Sequence, residues 1–181
     1  VRKMAEMNRV DGYVVLNFHE LNGSVHRLMD EIKSKSGFYD KFISSDEALS
    51  MMTHKSLLVI VDTHKPTMGI DSRLFNRTEK VVVIDHHRRG EEFLDSPTLV
   101  YMEPYASSTA ELVTELLEYQ PKNAKITGLE ATSLLSGIIV DTKSFTLRTG
   151  ARTFEAASYL RTRGADTILI QRLLKEDIDT Y

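Results

Sequence analysis

Asp85, His86, His87, Arg88 and Arg89 stand in an unbroken row directly behind Val81-Val82-Val83-Ile84. A carboxylate and two imidazoles are donors for a divalent cation, and two guanidiniums are forks for phosphate oxygens. Two more acids follow apolar runs in the same way: Asp62 after Leu57–Val61, and Asp141 after Ile138-Ile139-Val140. Taken singly, each aspartate could simply cap a following helix. Brought to one rim, the three would repel one another unless something positive lay between them. Imidazole with carboxylate suits manganese, iron or zinc.

The neighbouring residues leave alternatives open. Successive side chains of an extended segment point to opposite sides. His86 and His87 are therefore expected to face apart, one holding an ion and the other donating to a phosphoryl oxygen or leaving group. Arg88 and Arg89 are phosphate partners or a solvated basic turn. His64, close behind Asp62, could orient a ligand, touch substrate or be a plain loop histidine. His19, His26 and His54 have no acidic partner at metal spacing and read as surface or helix residues. Ser107-Ser108-Thr109 read as helix capping, with anion binding through free backbone N–H groups as the alternative. Arg148 and Arg152 flank Gly150 and either clamp a phosphate or lie solvated in a loop.

The elements that must position these groups follow from periodicity. Val81–Ile84 is short, β-branched and unbroken, as suits a strand buried on both faces. Leu57–Val61 reads as a second buried strand, Thr98–Met102 as another, and Tyr13–Phe18 as a further one. Val1–Asn8 reads as the end of a helix. Ser24–Lys35 places Val25, Leu28, Met29 and Ile32 on one helical face, with Gly37 as its stop. Capping-box signatures at Ser44–Glu47, Ser108–Glu111 and Thr127–Glu130 open three more helices. The first runs to about Thr53, the second ends at Pro121, and the third, Leu129–Ile139, is nearly all apolar and so buried. Leu74 and Phe75 belong to a short connection, and Lys143–Gly150 to a polar hinge. Helices over Thr153–Arg163, stopped by Gly164, and Thr167–Leu174, capped by Asp166, close the chain. Strands alternating with helices predict an α/β fold, a mainly parallel sheet with helices on both faces. Ligands of such sheets bind at the carboxyl ends of the strands, where Asp62 and Asp85-His86-His87 would share a crevice.

Composition bounds the rest. The chain has 181 residues, 41% hydrophobic and 27% charged, an ordinary globular balance. No apolar run approaches the roughly 20 residues of a membrane-spanning helix, and no signal-peptide core is visible. The absence of cysteine excludes disulfides and thiolate metal sites. A net charge of −3 gives no case for duplex nucleic acid, so any anion site must be local. Val1 is not an initiator methionine, and the chain is expected to be a piece of a longer one.

These residues together resemble the DHH phosphoesterase superfamily, named for a motif present here as Asp85-His86-His87. VIVDTHKP resembles its second motif, VVIDHHRRG its third and GIIVDTKSF its fourth. The wording of VIDHHRRGEEF, VYMEPYASSTAELVTELLEYQ and GIIVDTKSFTLRTGARTFEAASYLR is closer still to the GdpP-type cyclic di-AMP phosphodiesterases. The resemblance implies hydrolysis of cyclic di-AMP to linear pApA, with two manganese ions in the full site and a metal-activated water as nucleophile. It implies Asp62, His86 and Asp141 as metal ligands, Asp62 bridging both ions. It implies His87 at the reacting phosphate and Asp85 orienting the imidazoles. From the residues themselves, His64, Arg88, Arg89 and Arg148 are the further substrate-binding candidates. The family's first motif, HxxxDxD, and its DHHA1 domain have no counterpart in this sequence. Residues 1–181 are therefore expected to be a DHH domain cut short at both ends and a poor enzyme alone. The closing KEDIDTY resembles the stretch leading toward DHHA1. The branch further implies a cytoplasmic catalytic domain on a parent anchored in the cell membrane; a homodimer is left open. The alternatives are a family member acting on short linear oligonucleotides such as pApA or nano-RNA, and a non-catalytic nucleotide-binding module.

Overall fold

The computed structural model describes residues 1–66, 71–120 and 125–175. The expected helix stop at Pro121 and residues 176–181 of the KEDIDTY stretch lie outside them. All the strands described run parallel, in two sheets. The smaller pairs β1 (Val14–Val15) with β2 (Phe42–Ile43). The larger has the order β3 (Leu58–Val61), β4 (Val81–Asp85), β5 (Leu99–Met102). The register sets Val61 beside Ile84 and Asp85 beside Met102. The chain ends of β3 and β4, with Asp62 and Asp85–His87, therefore emerge together, as the parallel arrangement requires.

Helices surround the sheets: α1 (Arg2–Met7), α2 (Gly23–Lys35), α3 (Ser45–Met51), α4 (Thr109–Glu118), α5 (Gly128–Asp141), α6 (Ala151–Thr162) and α7 (Thr167–Leu174). Ser44 with Glu47 and Thr127 with Glu130 form reciprocal capping boxes at α3 and α5, satisfying backbone donors a helix start leaves free. The main core joins Ile84 of β4 to Leu112 of α4, Ile138 of α5 and Leu160 of α6, the last three fully buried. Burying one such side chain is worth about 1.5–3 kcal/mol, so the strand carrying Asp85 is anchored to three helices. The α4–α5 crossing is tight because residue 137 is glycine: a Cβ there would lie 3.1 Å from Ala110 Cβ. Gly164, at φ +91°, ends α6 as expected.

Several expectations need correction. Leu57–Val61 is not buried on both faces; β3 is half-buried and Val61 is 44% exposed, since β3 is an edge strand paired on one side. The long strand expected over Tyr13–Phe18 shrinks to Val14–Val15, while β2 has no counterpart among the expected strands, its apolar pair being too short to show alternation. The α3 helix stops at Met51, and Leu74 and Phe75 lie in a 3-10 helix over Ser72–Arg77. The capping box expected at Ser108–Glu111 is half a box. Ser108 accepts the Glu111 N–H, but the Glu111 carboxylate turns to Ser107 and Thr153 instead.

Candidate metal centre at the strand ends

Asp62 is the first residue beyond β3, and its N–H still donates to Ile84 O at 3.0 Å. Its φ of +67° breaks the strand conformation, an arrangement uncommon for a residue with a Cβ. The side chain is more than half exposed, and Oδ1 lies 3.5 Å from His86 Nε2. One ligand atom from each of Asp62, His86 and His87 lies within 4.8 Å of the others. A carboxylate oxygen and imidazole nitrogens at this spacing fit a divalent cation such as manganese, iron or zinc.

Asp85 holds the cluster from behind. It is fully buried, and every hydrogen bond its carboxylate receives comes from a histidine. Its Oδ2 accepts from His64 Nδ1 at 2.6 Å. Its Oδ1 accepts from His87 Nδ1 at 2.7 Å and from the His87 N–H at 3.1 Å. Burial alone would raise the Asp85 pKa, but the bonds from His64 and His87 outweigh it and hold the carboxyl below its ordinary range. His87 is thereby fixed with Nδ1 inward, and its half-exposed ring presents Nε2 outward.

The expectation that His86 and His87 face apart is not met. Their ring centroids are 4.4 Å apart. Alternation of side chains holds within a strand, and β4 ends at Asp85. The Asp85 carboxylate then bonds the backbone and ring of the residue two further on, a local turn that swings His87 beside His86.

His64 is not an open substrate contact. It is 3% exposed and both ring nitrogens are engaged: Nδ1 donates to Asp85, and Nε2 accepts from the Gly90 N–H at 3.0 Å. The neutral Nδ1–H tautomer satisfies both bonds. The ring also stacks on Phe93, whose other neighbour is the Arg89 guanidinium, 4.3 Å from the ring centroid. His64 thus ties the loop after β4 to the end of β3. Arg88 and Arg89 are both exposed on that loop.

Asp141 is the last residue of α5, and it lies outside the group formed by Asp62, His86 and His87. It is electrostatically coupled to them. Partial burial and then the charge of Asp62 raise its pKa, against His86, His87 and Arg148, which lower it. The hinge behind it is strained: Lys143, Ser144, Phe145 and Arg148 all have positive φ. Thr142, fully buried, holds this turn by accepting from the Phe145 N–H with Oγ1 and from the Leu147 N–H with its carbonyl. Arg148 is exposed near Asp141. Arg152 is not available in the same way: its guanidinium makes a bidentate pair with Glu115, both bonds 2.8 Å, and no phosphate clamp is formed there. His19, His26 and His54 are exposed, as expected.

Sequence reasoning gives no role to Phe93, and its sequence neighbours carry no signal for one. It marks Glu111 only as a cap. That carboxylate is 1% exposed and accepts from Ser107 Oγ, the Ser107 N–H and Thr153 Oγ1, fixing the loop before α4 to the start of α6.

Across all 181 residues the chain is 60% identical to cyclic-di-AMP phosphodiesterase GdpP of Bacillus subtilis (strain 168), spanning 28% of that protein. It is 58% identical to cyclic-di-AMP phosphodiesterase PdeA of Listeria monocytogenes serotype 1/2a (strain 10403S), again over 28% of its length. The chain thus spans under a third of these relatives. Among solved structures, a putative family II inorganic pyrophosphatase of Methanococcus jannaschii superposes with a TM-score of 0.65 at 21% identity, over 95% of this chain and 54% of that one. At that identity the likeness speaks for the fold. The family model described as "DHH family, N-terminal domain" matches residues 13–138, a span that takes in Asp62 and Asp85-His86-His87, and the chain belongs to the DHH family.

Proposed function

We propose that this chain is the DHH domain of a manganese-dependent phosphodiesterase that opens cyclic di-AMP to linear pApA. The observation that carries the reading is the 60% identity, unbroken over the whole chain, to a cyclic-di-AMP phosphodiesterase. The cluster of Asp62, His86 and His87 supports it chemically. Asp62, His86 and Asp141 would hold the ion. When bound, a divalent cation supplies an activated water and neutralises charge on the phosphoryl and leaving oxygens. The chain's own residues do the rest. His87, anchored through Nδ1 to Asp85, keeps Nε2 free for a phosphoryl oxygen. Arg88, Arg89 and Arg148 add positive charge around the crevice, suited to a doubly anionic substrate. His64 orients Asp85 and the loop after β4. No side-chain nucleophile is required. No helix among the described residues is long and apolar enough to cross a membrane; the reading places this domain on the cytoplasmic side of a longer, membrane-anchored protein.

The test is chromatographic assay of cyclic di-AMP and pApA with the longer protein that contains this chain, with and without manganese. Asp62→Asn and His86→Ala are expected to abolish manganese-dependent conversion. Undiminished turnover in either refutes the assigned roles, and preference for pApA over the cyclic substrate refutes the substrate.

A further inference from the structure

Phe93 is half-buried in the irregular loop after β4. Its ring stacks on the buried His64 imidazole, with centroids 5.6 Å apart and planes at 29°. The Arg89 guanidinium carbon lies over the same ring, 4.3 Å from its centroid. A guanidinium so placed is attracted by the negative face of the aromatic ring. Arg89 has no other commitment: it is exposed, and among the described residues it makes no hydrogen bond or ion pair. Arg2, Arg73 and Arg152 differ, since carboxylates occupy their guanidiniums.

This stack is tied to the metal crevice by bonds already described. His64 donates through Nδ1 to Asp85 at 2.6 Å and accepts the Gly90 N–H through Nε2 at 3.0 Å, so its imidazole cannot turn freely. The same Asp85 carboxylate holds the ring and the N–H of His87. One buried carboxylate therefore sets His87 directly and Arg89 through His64 and Phe93. The turn between them carries Arg88 and Arg89 before Gly90 and Glu91 and Glu92 after it, all four exposed. Lys65 reaches the same turn, its Cε 3.4 Å from where a Gly90 Cβ would stand. Neither Glu91 nor Glu92 pairs with Arg89.

We infer that Phe93 is a positioning residue for substrate binding: its ring holds the Arg89 guanidinium in place and leaves the N–H donors free for a phosphate oxygen of the substrate. The inference rests on the reading of this chain as a phosphodiesterase domain for a doubly anionic cyclic dinucleotide. It separates two adjacent arginines, because among the described residues Arg88 has no ring contact and Arg89 does. Arginine has a rotamer-rich side chain, and an exposed one gives up that freedom when a ligand fixes it. A ring that restricts the guanidinium beforehand moves this cost from binding to folding. The gain expected from such preorganisation is about 2–10-fold in affinity. A guanidinium in place before the reaction holds substrate and transition state alike, so its loss belongs in KM rather than kcat.

The longer protein that contains this chain is assayed on cyclic di-AMP with manganese, as wild type, Phe93→Leu, Phe93→Tyr, Arg89→Ala and the Phe93→Leu/Arg89→Ala double variant. Phe93→Leu keeps an apolar side chain against His64 but removes the aromatic face, and is expected to raise KM about 2–10-fold at nearly unchanged kcat. Phe93→Tyr keeps the ring and is expected to keep the wild-type KM. Arg89→Ala is expected to raise KM about 10–100-fold, and adding Phe93→Leu to it should change KM no further. A Phe93→Leu effect that persists in full without Arg89 overturns the inference, since support of His64 alone would give it. An unchanged KM, or a loss confined to kcat, overturns it too. Proton NMR of the 181-residue chain reads the pair without turnover: the Arg89 Nε–H and δ-methylene signals are expected upfield in wild type, from the Phe93 ring current, and at ordinary positions in Phe93→Leu. Their absence from the upfield region in wild type overturns the inference, and this readout decides alone if the leucine variant does not fold. A wild type that converts no cyclic di-AMP overturns the functional reading, and the inference falls with it, whereas the other adverse outcomes strike the inference alone.

Discussion

Replacing Asp85 by asparagine changes one atom of a fully buried side chain, and the consequences can be traced bond by bond. One carboxylate oxygen accepts from the ring and backbone of His87, the other from His64 Nδ1. Asparagine keeps one acceptor and places an NH2 where the other was. With its oxygen toward His87, the amide N–H confronts His64 Nδ1–H, donor against donor. His64 cannot answer by moving its proton, because Nε2 already accepts from the Gly90 N–H. One charge-assisted bond is lost, at about 1.5–3 kcal/mol, and a buried donor is stranded, at about 1–3 kcal/mol. The expected cost is roughly 3–5 kcal/mol, a large share of the 5–15 kcal/mol typical of a domain. Urea unfolding at neutral pH reads it as a lower midpoint at unchanged slope. The pH dependence has a definite sign. A lowered folded pKa contributes stability above the unfolded value of about 3.9, and this stability is lost as pH falls through the folded pKa. The gap between wild type and Asp85→Asn should therefore shrink below about pH 4. In a double-mutant cycle with His64→Leu the coupling should exceed about 1 kcal/mol. A single-mutant cost under about 1 kcal/mol, or additivity with His64→Leu, would refute the account of Asp85 as the clamp on both imidazoles.

Asp141→Asn has the opposite sign. A carboxyl whose folded pKa is raised by burial and by Asp62 costs stability at neutral pH, so the variant's metal-free melting temperature should rise at pH 7 and match wild type at low pH, while its gain on adding manganese should fall. Glu111→Ala leaves the Ser107 hydroxyl, the Ser107 N–H and the Thr153 hydroxyl without their acceptor; denaturant unfolding should show a loss of about 3 kcal/mol or more. Glu111→Gln should cost far less, because one amide oxygen can receive all of those bonds. Gly137→Val drives a side chain into Ala110 at the α4–α5 crossing and should lower stability by about 1–3 kcal/mol, read in the same experiment.

The parts legible in the sequence are those carried by strong local signals. The Val81–Ile84 run announces a buried central strand because every residue in it is β-branched and apolar. The caps at Ser44 and Thr127 are readable because the partners lie three residues apart. Asp62 and Asp85–His87 are readable as a group because parallel pairing brings strand ends together. The rest depends on contacts distant in sequence. His64 reaches Asp85 across a strand crossover, Glu111 reaches Thr153 from one helix to another, and Phe93 stacks on His64 from an irregular loop. The error over His86 and His87 is local but of the same kind. The strand stops at Asp85, and a side-chain-to-backbone bond, invisible to alternation, decides where His87 goes. Half-burial of β3 is likewise hidden, since LLVIV has the composition of a central strand and its edge position is set by topology.

The same bonds explain how an exposed site stays ordered. Asp62, His87 and Asp141 all face solvent, and Asp62 and the hinge behind Asp141 sit in left-handed backbone that non-glycine residues rarely adopt. Conformations of that kind cost of order 1–3 kcal/mol each and persist only where the surroundings fix them. Here each has a buried anchor. Asp62 is tied through its N–H to Ile84 of the central strand, His87 through two bonds to Asp85, and the 143–148 turn through Thr142. The anchors in turn belong to the β4–α4–α5 core, where Ile84, Leu112 and Ile138 pack together. Strained backbone thus lies at Asp62 and directly behind Asp141, where oxygen atoms face the crevice, and the packing energy that sustains it lies one layer beneath. A stabilising change in that layer should leave the crevice unaltered, whereas a change that relaxes Asp62 or the hinge should stabilise the metal-free fold and weaken its hold on a cation.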